Sequence, residues 1–171
     1  MADFDLAFER MLQSEGGLVL HTVAGDRGGM TFGGIARKFH PSWGGWVIID
    51  TAGASDARLA DLVKSFYHVN FWDRIDGNGL HSDVVAFSVF DFAVNAGVKT
   101  SVRLAQLAVN ASADGIMGPQ TQKALNACDV ELFEYRFALA KITRYAQIVT
   151  RDRSQGKFLL GWINRTINGV Q

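Results

Sequence analysis

The chain has 171 residues, enough for one compact domain with a hydrophobic core of its own. Lysine plus arginine equals aspartate plus glutamate, so the formal net charge is zero and a strongly polyanionic partner such as DNA or RNA is not expected. The 48% hydrophobic and 20% charged composition excludes a disordered chain, and a single cysteine, Cys128, excludes an intramolecular disulfide. Cys128 reads as a small apolar residue near a helix end.

The first segment, MADFDLAFERML, is acidic and amphipathic. It lacks the basic and then apolar regions of a secretory signal, and no apolar run approaches the ~20 residues needed to span a membrane. The expectation is a soluble monomer made in the cytoplasm, with no membrane insertion. Asp3 is placed to cap a first helix, with Phe4, Phe8, Met11 and Leu12 on one face. Glu15 extends that apolar stripe, and Gly16 and Gly17 end the helix.

The stretch LVLHTVAGDRGGMTFGG is β-branched and apolar at first, with Gly25-Asp26 as turn chemistry, and predicts a short β-hairpin or β-loop. IARKFHPSWGGWVIIDTAG predicts a helical turn, a proline-containing loop and an aromatic-rich surface segment. Ser55 and Asp56 open a second helix through about Phe71, with Ala60, Val63, Tyr67 and Phe71 inward. DGNGLH is a loop. Ser82-Asp83 opens a helix that is apolar on nearly every side and closes at Gly97, the pattern of a buried central helix. Further helices follow over TSVRLAQLAVN, from Pro119 onward, over VELFEYRFALAKITRYAQIV, and over FLLGWINRTI. The expected fold class is mainly α, of α+β type: a helical bundle around a buried central helix, with a small β element after the first helix.

Among residues able to do chemistry, Glu15 comes first. A glutamate at a helix end usually reaches water. This one ends an apolar stripe, where desolvation would raise its pKa and keep it protonated as a general acid. Asp26 is by itself a turn residue, but glycoside hydrolysis commonly needs two carboxyls flanking the scissile bond. The Thr31 hydroxyl could help place a water molecule; an ordinary strand threonine is the other reading.

These residues carry a resemblance. SEGG followed by GDRGGMTFGGIA is similar to the N-terminal signature of glycoside hydrolase family 108, the N-acetylmuramidases found in phage endolysins. Glu15, Gly16, Gly17, Asp26, Gly28, Gly29, Thr31, Gly34 and Ile35 match it in order. FYHVNFWDRI and FDFAVNAG, with Asp91 and Asn95, resemble the family's central segments. ADGIMGPQTQKAL resembles the turn of peptidoglycan-binding modules. The resemblance implies a lysozyme-like fold spanning 1–171, with a catalytic part over 1–92 and a peptidoglycan-binding-like helical part over 93–171. It implies Glu15 as catalytic acid, with Asp26 and Thr31 as its partners. It also implies a peptidoglycan glycan strand as substrate and release to the wall by a separate membrane-lesion protein. Leu18 to Thr22 depart from the family, which has an aromatic residue and Asp-Pro after the two glycines.

Asn95 could touch a substrate N-acetyl group or serve the core; Asp91 reads as structural. His21 could contact substrate or be a solvated loop residue. Trp43 and Trp46 could stack on sugars as a cleft wall, whereas Trp72 and Trp162 read as core. The Asp114 to Pro119 turn reads mainly as a helix entry. Arg136, Lys141, Arg144, Arg151 and Arg153 read as a solvated face able to attract an anionic wall. His21, His40, His68 and His81 show no metal-ligand spacing, and no cofactor or metal is expected. Two rivals to a muramidase remain: a lytic transglycosylase, and a non-catalytic wall-binding or secretion-accessory protein.

Overall fold

The computed structural model of the chain describes residues 1–14, 16–22 and 29–169. Its contacts divide the chain into two compact units, residues 3–73 and residues 74–171, the latter together with Met1 and Ala2. The described residues form eight α-helices and one three-stranded antiparallel sheet, so the fold is mainly α with a small β element. None of these helices is long and apolar enough to cross a membrane.

In the first unit, α1 spans Phe4–Ser14. The Asp3 carboxylate accepts the Asp5 and Leu6 amides at 2.8 and 3.3 Å, capping the helix as its position predicts. Phe4, Ala7, Phe8 and Met11 are buried, and Leu12 is half-buried. The strands follow: β1 (Leu20–Thr22), β2 (Met30–Phe32) and β3 (Ile35–Ala36), in sheet order β1-β2-β3. Gly33 and Gly34 join β2 to β3 with φ of 52° and 79°, a two-residue turn whose twist suits a hairpin and whose angles favour glycine.

The segment expected to be an aromatic-rich surface loop contains a helix, α2 (Gly45–Ala52). The helix α3 (Arg58–Tyr67) runs on through a π-helical segment, His68–Trp72. Its inner face is Leu59, Val63 and Tyr67; Ala60, expected inward, is exposed. The Asp56 carboxylate accepts both the amide and the guanidinium of Arg58 at the start of α3, and these bonds lower its pKa to about 2.

The second unit is helical. The helix α4 (Asp83–Ala96) is capped by Ser82, whose Oγ accepts the Val85 amide at 3.3 Å, and it buries Val85, Ala86, Ser88, Val89, Phe90, Phe92 and Ala93. It packs against α5 (Val98–Ala108) and α7 (Val130–Arg151). The Ser101 hydroxyl donates to the Val89 carbonyl at 2.6 Å, tying α5 to α4 inside the core. Between α5 and α7 lies α6 (Pro119–Ala127), with proline at its first turn, and α8 (Gly156–Asn168) ends the described chain. Cys128 lies at the end of α6, where its Sγ donates to the Leu125 carbonyl and burial raises its pKa.

The turn at Asp114-Gly115 is held from below by Gln106, which is 1% exposed. The Gln106 Nε2 lies 2.8 Å from Asp114 Oδ1 and 2.9 Å from Thr121 Oγ1, and its Oε1 accepts the Gly115 amide at 2.8 Å. Gly115 has φ of 79°, and a Cβ there would lie 2.7 Å from the Lys99 carbonyl oxygen. The turn is therefore a helix entry hydrogen-bonded to the buried Gln106, as its sequence suggests. Gln106→Leu should lose the acceptor for Gly115 and the donor for Thr121, lowering unfolding stability by about 2–4 kcal/mol in urea denaturation.

Candidate active site

Glu15 and Asp26 lie outside the described residues, so the site is built from what flanks them. The end of α1 is a Schellman pair. The Gly17 amide donates to the Leu12 carbonyl at 2.9 Å and the Gly16 amide to the Gln13 carbonyl at 3.4 Å. Both glycines take positive φ, 88° and 79°. No basic side chain stands in the last turn of α1.

The sheet places two of the expected site residues together. His21 on β1 faces Thr31 on β2 in the antiparallel register, and Thr31 in turn faces Ala36 on β3. Thr31 therefore occupies the central strand, half-buried, and His21 is exposed beside it. Phe32 and Ile35, each 1% exposed, anchor the sheet in the core of this unit. Two contacts hold the β2–β3 turn to α3. The Tyr67 hydroxyl donates to the Gly33 carbonyl at 3.0 Å. Gly33 also packs so closely that an added Cβ would lie 3.2 Å from Val63 and 3.3 Å from Leu18.

The tryptophans divide. Trp46 is 2% exposed, its indole N–H donates to the His40 carbonyl at 2.8 Å, and Trp43 lies edge-on against it. Trp46 is therefore core, not the sugar platform expected, because the unforeseen α2 turns it inward. Arg37 covers its outer side, 5.4 Å from the ring centroid, while bonded to Asp50 at 2.8 Å. Trp43 is half-buried and stacks on Phe32, with ring centroids 6.2 Å apart. A Cβ on Gly45 would collide with the Trp43 ring, so glycine at the start of α2 is what lets Trp43 lie flat.

The remaining expected residues belong to the second unit. Asn95 is exposed on α4 and donates to the Asp91 carbonyl one turn back at 2.7 Å. The Asp91 carboxylate accepts from Arg165 at 3.0 Å, tying α8 to α4, in line with the structural reading of its sequence position. Trp162, expected in the core, is half-buried beside Tyr145 and Phe158. Lys141 is not on a solvated face either: its Nζ sits 4.2 Å from the Phe137 ring centroid, and burial lowers its pKa. Sequence reasoning missed this grouping. The i, i+4 spacing of Lys141 and Tyr145, against an aromatic α4, was its only signal. Among the described residues no cluster of three or more His, Cys, Asp or Glu could hold a metal ion.

A family model described as Glycosyl hydrolase 108 matches residues 8–97, just over half of the chain. The chain belongs to that family. A second model, described as a predicted peptidoglycan domain, matches residues 98–167. Together they make the protein a glycoside hydrolase of the N-acetylmuramidase kind, acting on peptidoglycan. Eleven chains of solved structures match. One is described as "Structure of Brucella abortus SagA", at 23% identity and a TM-score of 0.74, covering 97% of this chain and 90% of that one. That likeness shows the fold to be lysozyme-like. No curated protein matches the chain.

Gly33→Ala should strain the positive φ and press a methyl group on Val63 and Leu18. It is expected to lower stability by roughly 1–3 kcal/mol in urea denaturation, where an exposed Gly→Ala replacement would have little effect.

Proposed function

We propose that this muramidase cleaves the β-1,4 bond between N-acetylmuramic acid and N-acetylglucosamine with Glu15 as the general acid. The observation that supports the reading is that Glu15, Asp26 and Thr31, the residues of the signature that resembles the family's, fall within the matched region, residues 8–97. The physical argument starts from the end of α1. Ser14, the residue before Glu15, is the last of that helix, and a helix C-terminus disfavours a further negative charge. The proposed reaction uses Glu15 in its protonated form, the form a general acid needs near neutral pH.

In the proposed reaction Glu15 gives its proton to the glycosidic oxygen as the bond to the muramic acid anomeric carbon breaks. Asp26 lies on the connection between β1 and β2, opposite Glu15 in the reaction scheme. It stabilises the oxocarbenium-like centre or takes a proton from the attacking water. Thr31 supports that water through its hydroxyl, from its place on the central strand beside His21. His21, Trp43 and Asn95 are assigned to substrate contacts, Trp43 by the half-exposed ring that Phe32 supports. Catalysis belongs to the N-terminal part and wall binding to the C-terminal helices. The phage-endolysin resemblance favours an enzyme that acts on the wall after release from the host cytoplasm, as a monomer.

Proton donation by a positioned side chain contributes about 10²–10⁴-fold to rate. Glu15→Gln should therefore reduce the clearing of purified sacculi by at least that range while leaving circular dichroism and melting temperature near wild type. Thr31→Ala should cost less, about 10-fold or more in kcat, with KM little changed. Clearing by Glu15→Gln at the wild-type rate would contradict the assignment.

A further inference from the structure

The second unit contains a cleft of about 210 Å³ between α4, α7 and α8, whose lining among the described residues includes Asn95 but not Thr31. Three cationic side chains line it, Lys141, Arg144 and Arg165, against one carboxylate, Asp91. That carboxylate is already engaged with Arg165. The Nε of Arg144 is buried and has no hydrogen-bond partner among the described residues, so that cation is incompletely satisfied. Lys141 lies over the rings of Phe137 and Phe92, 4.2 and 5.1 Å from their centroids. Burial lowers its pKa, and the charges of Asp91 and Glu134 only partly offset that.

The walls of the cleft are aromatic. Tyr145 and Trp162 pack with centroids 5.2 Å apart, and Trp162 is backed by Phe158. On the other side of α7 a groove between α5 and α7 is lined by Lys99, Arg103, Arg144 and Arg151, and by no acidic side chain among the described residues. Arg144 is common to both surfaces, so the positive potential around its guanidinium is not confined to one opening. The whole chain is neutral, which makes this local excess of cations a feature of the site, not of bulk charge.

We infer that the cleft binds a carboxylate of the short acidic peptides attached to peptidoglycan strands, with Arg144 and Lys141 holding the carboxylate and Tyr145 and Trp162 covering the adjoining aliphatic part. The assignment rests on peptidoglycan being the substrate. Neutral N-acetyl sugars would leave the excess of cations lining the cleft uncompensated, three against the single carboxylate of Asp91, whereas a peptide carboxylate offsets it through charge-assisted hydrogen bonds. The aromatic walls and small volume favour a carboxylate on a compact aliphatic residue over a phosphate polymer.

Titration of the full chain with the synthetic peptide L-alanyl-γ-D-glutamyl-L-lysyl-D-alanine, followed by calorimetry or NMR, tests this. The free-acid peptide should bind at least tenfold more tightly than the same peptide with its carboxylates amidated. Arg144→Gln and Lys141→Met should each weaken binding of the free acid at least tenfold, with circular dichroism checking that each variant is folded. The comparison of the two peptides needs no variant. Absence of binding, equal binding of the two peptides, unaffected variants, or equally effective competition by glycerol phosphate would overturn the proposal. Peptide binding needs no bond cleavage, so a failed hydrolase reading would show itself separately, as sacculi that do not clear while the peptide still binds.

Discussion

The unit that carries the proposed catalytic residues depends on the seating of one glycine turn against one helix. The Gly33 carbonyl accepts the Tyr67 hydroxyl, and the Gly33 Cα lies where Val63 and Leu18 leave no room for a side chain. Tyr67 is 2% exposed, so this bond forms away from competing water and fixes β2 relative to α3. β2 carries Thr31, and the register of β1 on β2 then sets His21 beside it. Without that seating, the small sheet would be a three-residue ladder of marginal stability. With it, the sheet becomes a platform that holds the Thr31 hydroxyl.

A second constraint complements the first. The end of α1 is closed by two glycines that satisfy the Leu12 and Gln13 carbonyls. The turn that follows is thereby set by the backbone alone. The second unit is built on another principle. There a mostly apolar α4 is enclosed by α5 and α7, and two of its polar residues, Asp91 and Asn95, line the solvent-accessible cleft, Asp91 bonded to Arg165 of α8. The hydrolase family match ends at residue 97, yet the contacts of α4 lie with the helices after it. The helix that closes the hydrolase family's region therefore packs in the same compact unit as the helices of the second family match.

Much of the fold was legible because its signals are local. Asp3, Ser82 and Pro119 announce helix starts, Gly16-Gly17 and Gly97 announce ends, and the unbroken apolar run of α4 announces burial. The helix α2 was not legible: SWGGWVIIDTAG has glycines and tryptophans where a helix start is unfavourable by propensity. Tertiary packing reverses that preference, since Gly45 makes room for Trp43 and the helix buries Trp46. The error about Trp46 follows directly from missing the helix. Lys141 and Trp162 were misread for a different reason. A lysine on a long charged helix is usually solvated, and only the pairing of α7 with α4 and α8 shows that its stem crosses aromatic rings. The order of Glu15, Asp26 and Thr31, by contrast, was readable as a family signature, because it depends on residue identity more than on packing.

The account makes water the second substrate. Digesting purified peptidoglycan in water enriched in ¹⁸O and weighing the released fragments by mass spectrometry tests that claim most directly. One labelled oxygen should enter each newly formed reducing end. Fragments that carry no label and are lighter by one water would mean that the sugar's own hydroxyl closed the reaction, and would contradict hydrolysis.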